Sequence, residues 1–154
     1  MGCGVDPDGI AAIVSAGMIQ ELHHIGVAVE SIDETLPRYV DGLGMRLVGV
    51  EDVESEQVRV AILMAGSTRL ELLEPTDPSS PIAGFLAKRG PGVHHLAFEV
   101  ADTREIIRVL TEAGAPMLDT EPRSGAHDTS VAFVHPKYLG GVLAEFVQDP
   151  EQKP

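Results

Sequence analysis

Tryptophan is absent from the 154-residue chain, cysteine occurs once, and aromatic residues make up 4% of the whole. A lone Cys3 excludes an internal disulfide framework and any zinc module built from several thiolates. It reads as a free thiol, and the expected compartment is a reducing cytoplasm. So few flat rings argue against a platform for stacking bases. Cations are scarce as well: 11 Lys and Arg stand against 24 Asp and Glu, a formal net charge of -13. A field of that sign repels phosphate backbones, so no nucleic acid is expected as a partner, although a local basic pocket for one small anion stays open. No run approaches the ~18 apolar residues of a membrane helix, so no membrane is expected either. What is left is an ordinary globular composition, 44% hydrophobic, at the length of one domain.

Residues 1–20 stand apart from the rest. Gly2, Gly4, Pro7 and Gly9 interrupt any early helix. No Lys or Arg precedes Arg38, and Asp6 and Asp8 sit where a secretory signal carries positive charge. This stretch is expected to be an N-terminal extension rather than a signal peptide.

The remaining chain repeats itself. The segment His23-His24-Ile25-Gly26-Val27-Ala28-Val29 returns as His94-His95-Leu96-Ala97-Phe98-Glu99-Val100. Each copy is followed by a helix-start signature, Ser31-Ile32-Asp33-Glu34 and then Asp102-Thr103-Arg104-Glu105. The second helix carries Ile106, Ile107 and Leu110 and should end at Gly114. The first holds Pro37, which predicts an irregular start. Extended segments are expected at Met45–Val53, Gln57–Met64 and Thr68–Leu73 in copy one, and at Pro116–Asp119, Ser130–His135 and Val142–Val147 in copy two. Between the copies, Ser80 before Pro81 marks a short linker helix. The order β-α-β-β-β therefore occurs twice in an α+β chain.

Side chains alternate along a strand. His23, Ile25, Val27 and Val29 share the apolar face that must pack on the helices; His94 falls in the same phase. His24 and His95 take the opposite, open face, beside small residues that leave room. Late in each copy a carboxylate sits between apolar neighbours: Glu71 between Leu70 and Leu72, and Glu145 between Ala144 and Phe146. If the open faces meet, two imidazoles and two carboxylates can converge on a divalent ion, with Co, Mn, Ni, Fe and Zn all allowed by the donor set. The alternative is that the histidines are satisfied core residues and the glutamates face solvent.

Several segments carry a resemblance. They are the two double-histidine strands, Leu70-Glu71-Leu72-Leu73-Glu74-Pro75, Ser80-Pro81-Ile82-Ala83-Gly84-Phe85-Leu86, Glu121-Pro122-Arg123, Phe133-Val134-His135-Pro136-Lys137 and Gly141-Val142-Leu143-Ala144-Glu145. In their order and spacing the chain resembles, from about residue 20 to 148, the methylmalonyl-CoA epimerases of the vicinal-oxygen-chelate superfamily. The resemblance implies two βαβββ modules pairing into an open, glyoxalase-like barrel. It implies an extension over 1–20, a domain over 21–148 (module one 21–75, a linker with a short helix 76–92, module two 93–148) and a tail over 149–154. It implies His24, Glu71, His95 and Glu145 as ligands of one divalent metal, with Co2+ preferred and Mn2+, Ni2+ or Zn2+ possible. The implied reaction is interconversion of methylmalonyl-CoA epimers through removal of the C2 proton, with Glu145 favoured as the base and His127 and His135 as alternatives. Arg123, His135 and Lys137 would contact the acyl-CoA, with Lys88 and Arg89 as further cations, and a homodimer is expected.

Two departures stand out. Where some members carry a Glu in the strand before that of Glu71, the alignment places Ala61; and Asp128 stands where a glycine is common, which strains the backbone if φ is positive there. Rival readings are a glyoxalase I-like lactoylglutathione lyase using the same ligands, and a non-catalytic binding member of the superfamily. A third, a ring-cleaving dioxygenase, is disfavoured by the second carboxylate, Glu71.

Overall fold

Two of the helices start where the capping sequences say they should. In the computed structural model, which describes residues 18–150, α1 spans Ile32–Pro37, and the Ser31 hydroxyl accepts from the Glu34 amide. α3 spans Thr103–Glu112, with the Asp102 carboxylate accepting from the Arg104 and Glu105 amides. Such caps satisfy amides that have no partner inside the helix. The linker helix α2, Pro81–Arg89, begins the same way, with the Ser80 hydroxyl accepting from the Ile82 amide. Pro37 acts at the far end of α1 instead of at its start. Its missing amide stops the α-helical ladder, and the chain continues as a π-helical turn over Arg38–Gly42. The expected irregular start is thus an irregular end.

The strands are β1 (Ile19–Ala28), β2 (Arg46–Val53), β3 (Val58–Ala65), β4 (Thr68–Pro75), β5 (Gly92–Val100), β6 (Arg123–Ser124), β7 (Ser130–Val134) and β8 (Ala144–Gln148). They form one sheet in the order β2-β3-β4-β1-β5-β8-β7-β6. Each βαβββ module contributes four strands. Within a module the first and last strands run parallel, β1 with β4 and β5 with β8. The modules join through antiparallel β1 and β5. The sheet curls until its outer parts meet: Arg123 pairs with Glu56, His127 with Glu51, and the Ser55 hydroxyl donates to the Ser124 carbonyl. This is the open barrel that the family resemblance implies.

One expected strand is reduced. Pro116–Asp119 supplies a single bridge, Met117 to Val134. Pro116 has no amide to give, and the Asp119 carboxylate accepts from the Phe133 amide at 2.8 Å, so a side chain takes the ladder position a backbone carbonyl would fill. The N-terminal extension lies outside the described residues except for its last three, and Ile19 and Gln20 already belong to β1. Among the described residues no helix is long and apolar enough to cross a membrane.

Apolar packing divides by face. Behind the sheet, Val29, Ile32, Ala61, Leu63 and Leu72 pack around α1, and Val100, Ile106, Leu110, Val134 and Phe146 around α3. On the inner face, Val58, Val60, Ile62 and Leu73 pack under Ile82 of α2. Ala97, Val131 and Val147 form a smaller inner cluster in module two.

Candidate metal centre

Strict alternation would send His23 and His94 behind the sheet, away from His24 and His95. The register of β1 and β5 departs from it three times, once at Gln20 near the start of β1 and twice at the histidine pairs. Between the pairs Leu22–Phe98 and His24–Ala97, His23 is an extra residue in β1; between Gly26–His95 and Val27–Val93, His94 is an extra residue in β5. Each is a β-bulge, which re-aims a side chain where the ladder is interrupted. His23 Nδ1 lies 2.8 Å from His24 Nδ1, and His94 Nδ1 lies 3.0 Å from His95 Nδ1. All four imidazoles line one cavity. The expectation that His23 and His94 face the apolar layer is therefore corrected.

Room for the rings comes from small residues opposite them. Gly26 faces His95, and a Cβ there would lie 2.2 Å from His95 Cε1. His24 faces Ala97. With that space open, His24 Nε2 and His95 Nε2 approach to 3.0 Å. Glu145 Oε1 lies 3.2 Å from the first and 3.1 Å from the second. All three side chains are deeply buried, at 4%, 6% and 8% residue exposure. Yet among the described residues Glu145 Oε1 has no aligned hydrogen-bond donor. A buried carboxylate oxygen without a donor is costly. Two imidazole nitrogens and an orphaned carboxylate oxygen converging on one point suit a divalent cation.

Glu71 is equally buried, at 5%, but stands on the other side of the His24 ring. Its Oε2 is 3.4 Å from His24 Nδ1 and 4.0 Å from Arg69 Nη1. The structure thus brings His24, His95 and Glu145 together and holds Glu71 beside them, grouped with His23 and His24. Neither carboxylate faces solvent. Burial opposes charge on His24, but Glu71 and then Glu145 outweigh it and raise its pKa. Burial likewise opposes charge on Glu145, and His24 and His95 outweigh it, holding its pKa far below the usual range. His94 is pushed down to about 4, chiefly by burial and then by His95.

The cavity has a volume of about 290 Å³. Val58 and Val60 of β3 line it, whereas Ala61 packs behind the sheet against Val29 and Leu72. The position on β3 that faces the site is therefore Val60, not Ala61; both are apolar, so β3 contributes no carboxylate. Arg123 lines the mouth. Its Nη1 is 3.0 and 3.1 Å from the two Glu56 oxygens, its Nε is 2.7 Å from Asp119 Oδ1, and its guanidinium stands 5.2 Å from the Phe133 ring centre. Glu56 and Arg69 also line the cavity. Sequence reasoning passed over both, because Glu56 lies on an irregular turn (Glu54–Glu56) and Arg69 looks like any polar residue of an alternating strand. Burial raises the pKa of Glu56, against the lowering effect of Arg123.

His135 and Lys137 are exposed and do not line the cavity. His135 Nδ1 accepts from the Lys137 amide at 3.0 Å and caps the short turn Pro136–Leu139. His127 is exposed, with its amide and Nε2 both 3.1 Å from Glu51 Oε1. Lys88 and Arg89 are exposed in the last turn of α2, with Arg89 over Phe85. Asp128 does take a positive φ, +60°, as does its neighbour His127 at +54°.

Comparison with known proteins agrees with this architecture. A family model for the glyoxalase/bleomycin resistance protein/dioxygenase superfamily matches residues 23–133. The ethylmalonyl-CoA/methylmalonyl-CoA epimerase of Cereibacter sphaeroides is 38% identical over 133 residues, covering 85% of this chain and 99% of that protein. The crystal structure of a hypothetical protein from Bacillus halodurans is 46% identical with a TM-score of 0.82, covering 87% of this chain and 97% of that one. A methylmalonyl-CoA epimerase solved in complex with methylmalonyl-CoA and NH4+ is 35% identical with a TM-score of 0.82, covering 88% and 98%. The doubled module, the histidine-bearing central strands and these likenesses over most of the length place the chain in the glyoxalase/bleomycin resistance protein/dioxygenase superfamily and, within it, in the methylmalonyl-CoA epimerase family.

Proposed function

We propose that the protein inverts C2 of methylmalonyl-CoA by 1,1-proton transfer, with a divalent cation held by His24, His95 and Glu145 and with Glu71 as the fourth ligand. The observation that carries the reading is the buried, donor-free oxygen of Glu145 between two imidazole nitrogens at the base of a cavity. Cobalt is the preferred ion by family likeness; manganese, nickel and zinc suit the same donors.

The C2 proton lies between a thioester and a carboxylate, so its removal spreads charge onto the thioester oxygen. When bound, the cation supplies stabilisation of that oxygen as charge develops. Glu145 is our choice to take the C2 proton, a role that requires one of its oxygens to leave the cation; His24 and His95 keep it ionised but also weaken it as a base. Apolar walls from Val58, Val60, Leu73 and Val131 exclude water around the reacting carbon. Inversion needs a proton delivered to the opposite face. The remaining cavity carboxylate is Glu56, which burial inclines toward its protonated form, and we assign the return step to it. Arg69 and Arg123 line the cavity as cations for the anionic substrate, and Lys137 stands outside for the phosphate-bearing tail.

A second reading is favoured by the apolar inner face of β3 and by a ligand set of two histidines and two glutamates: a glyoxalase I-like isomerase acting on a glutathione hemithioacetal. Proton NMR in D2O separates the two. Cobalt-loaded protein mixed with one epimer of methylmalonyl-CoA should lose the C2 proton and equalise the epimers, and metal-stripped protein should do neither. Glu56→Gln should still exchange the proton of one epimer while losing inversion. No exchange by the loaded wild type would remove the epimerase reading, and turnover of the hemithioacetal in its place would install the second.

A further inference from the structure

The bulge that turns His23 toward His24 also brings it to the C-terminal end of the described chain. His23 Nε2 lies 3.0 Å from Asp149 Oδ1, while His23 Nδ1 lies 2.8 Å from His24 Nδ1. The His23 side chain is 6% exposed and that of Asp149 28% exposed. These contacts form a chain with a direction. A carboxylate can only accept, so the His23 proton must sit on Nε2 and point at Asp149. Neutral His23 then offers a lone pair at Nδ1, and His24 must donate to it from its own Nδ1. His24 therefore has no proton on Nε2, the nitrogen that faces His95 Nε2 and Glu145 Oε1.

We infer that Asp149 and His23 are positioning residues that fix the Nδ1–H tautomer of His24, so that its Nε2 lone pair is presented to a divalent cation. The inference rests on the metal-centre part of the reading above. A competing tautomer is available. With the proton on Nε2, His24 would point it at His95 Nε2 and lose the lone pair that a cation needs. Glu71 Oε2, 3.4 Å from His24 Nδ1, pulls the proton the same way as His23. Glu71 acting as a ligand would share its lone pairs with the cation, whereas the Asp149–His23 relay accepts that proton at 2.8 Å without touching the cation. Outer partners of this kind orient ligand imidazoles and typically change metal affinity 10- to 100-fold when removed. Among the described residues, module two shows no such relay: the ring stacked edge-on against His94, at 4.9 Å, is Phe85.

The test uses two readouts on the full chain. Competition for Co2+ against a chromophoric chelator should show 10- to 100-fold weaker binding in Asp149→Ala and in His23→Phe. Asp52→Ala, which removes an exposed carboxylate from a pair with Arg59, should bind as wild type does. Independently, 15N NMR of the metal-free chain, above the range in which histidine is charged, should place the His24 proton on Nδ1. In Asp149→Ala it should move toward Nε2. A wild-type proton on Nε2, or an Asp149→Ala variant with unchanged tautomer and unchanged Co2+ affinity, would overturn the relay. Wild-type protein that takes up no Co2+ would instead overturn the metal centre, and the tautomer of the metal-free chain would still decide the relay by itself.

Discussion

The two modules are alike in how they begin and unlike in what they lean on. Both helices start on a side-chain cap, and both receive a second bond from the end of the module's last strand. The Ile32 amide donates to Glu74 Oε1 at 2.6 Å, and the Thr103 amide donates to Gln148 Oε1 at 3.0 Å. Both carry a bulge at the first histidine of the pair. The surroundings then diverge. His23 reaches a carboxylate, and His94 meets a phenyl ring. The residue opposite His95 is glycine, and the one opposite His24 is alanine. Glu145 joins the Nε2 nitrogens of both histidines, while Glu71 sits beside one Nδ1. β2 has eight residues where β6 has two. A duplicated frame thus fixes where the histidines and glutamates stand; their neighbours decide the contacts each one makes.

The sharpest way to break this comparison is to remove the carboxylates in turn. Glu145→Ala should weaken Co2+ binding by more than ~100-fold, beyond the range of outer partners, and Glu71→Ala by about 10-fold. Equal losses in a chelator competition would show that the halves contribute alike. Next comes the pair of small residues. Gly26→Ala forces a methyl into the His95 ring and should cost about 1–3 kcal/mol in denaturant unfolding, with Co2+ binding impaired. Ala97→Gly should cost about 0.5–1 kcal/mol by backbone entropy and leave the rings in place. A smaller effect should appear in acid. With a folded pKa of about 4 against an ordinary 6.5, His94 stays neutral in the fold while the unfolded chain takes up a proton. Stability is therefore complete above pH 6.5 and falls as pH drops toward 4, by on the order of 2 kcal/mol. His94→Phe should lose that part of the slope in melts recorded across the window. The smallest expected change is Asp128→Gly, which relieves a positive φ and should gain at most about 1 kcal/mol. A loss there would mean that the Asp128 side chain outweighs its backbone strain.

Much of this was legible before any coordinates. The repeat, the caps and the linker helix are local signals, and local signals survive into the fold. Alternation offered the convergence of His24 and His95 with Glu71 and Glu145 on the condition that the open faces meet, with core histidines and solvent-facing glutamates as the alternative; Glu71 and Glu145 lie in regular ladders, whereas both histidines stand beside a bulge. Parity failed at His23 and His94, since one inserted residue reverses a face and nothing in the local sequence marks the insertion. Ala61 was misplaced by a single position for the same reason: Val60 faces the cavity and Ala61 the helix layer. The strand expected at Pro116–Asp119 failed because a distant amide, that of Phe133, took the Asp119 side chain as its partner. Glu56 and Arg69 were missed because a cavity wall is assembled from segments far apart in the chain.

The two bulges lean in opposite directions. One lengthens β1 and the other lengthens β5, so the pairing Leu22–Phe98 on one side and Val27–Val93 on the other follow a common register. The three rungs between them, His24–Ala97, Ile25–Leu96 and Gly26–His95, are displaced, and a separate shift at Gln20 sets off the terminal rung Ile19–Val100. A one-residue slip ordinarily turns over a whole strand; here the two slips at the histidine pairs cancel, and between Glu21 and Ala28 the turnover is confined to the rungs that carry His24 and His95. Either bulge alone would leave the rest of this ladder out of step, and the ladder is the joint between the halves. During folding the pair must therefore close together, across a long sequence separation of the kind that slows folding. The histidine cluster is assembled in the same cooperative event that docks one half of the protein onto the other.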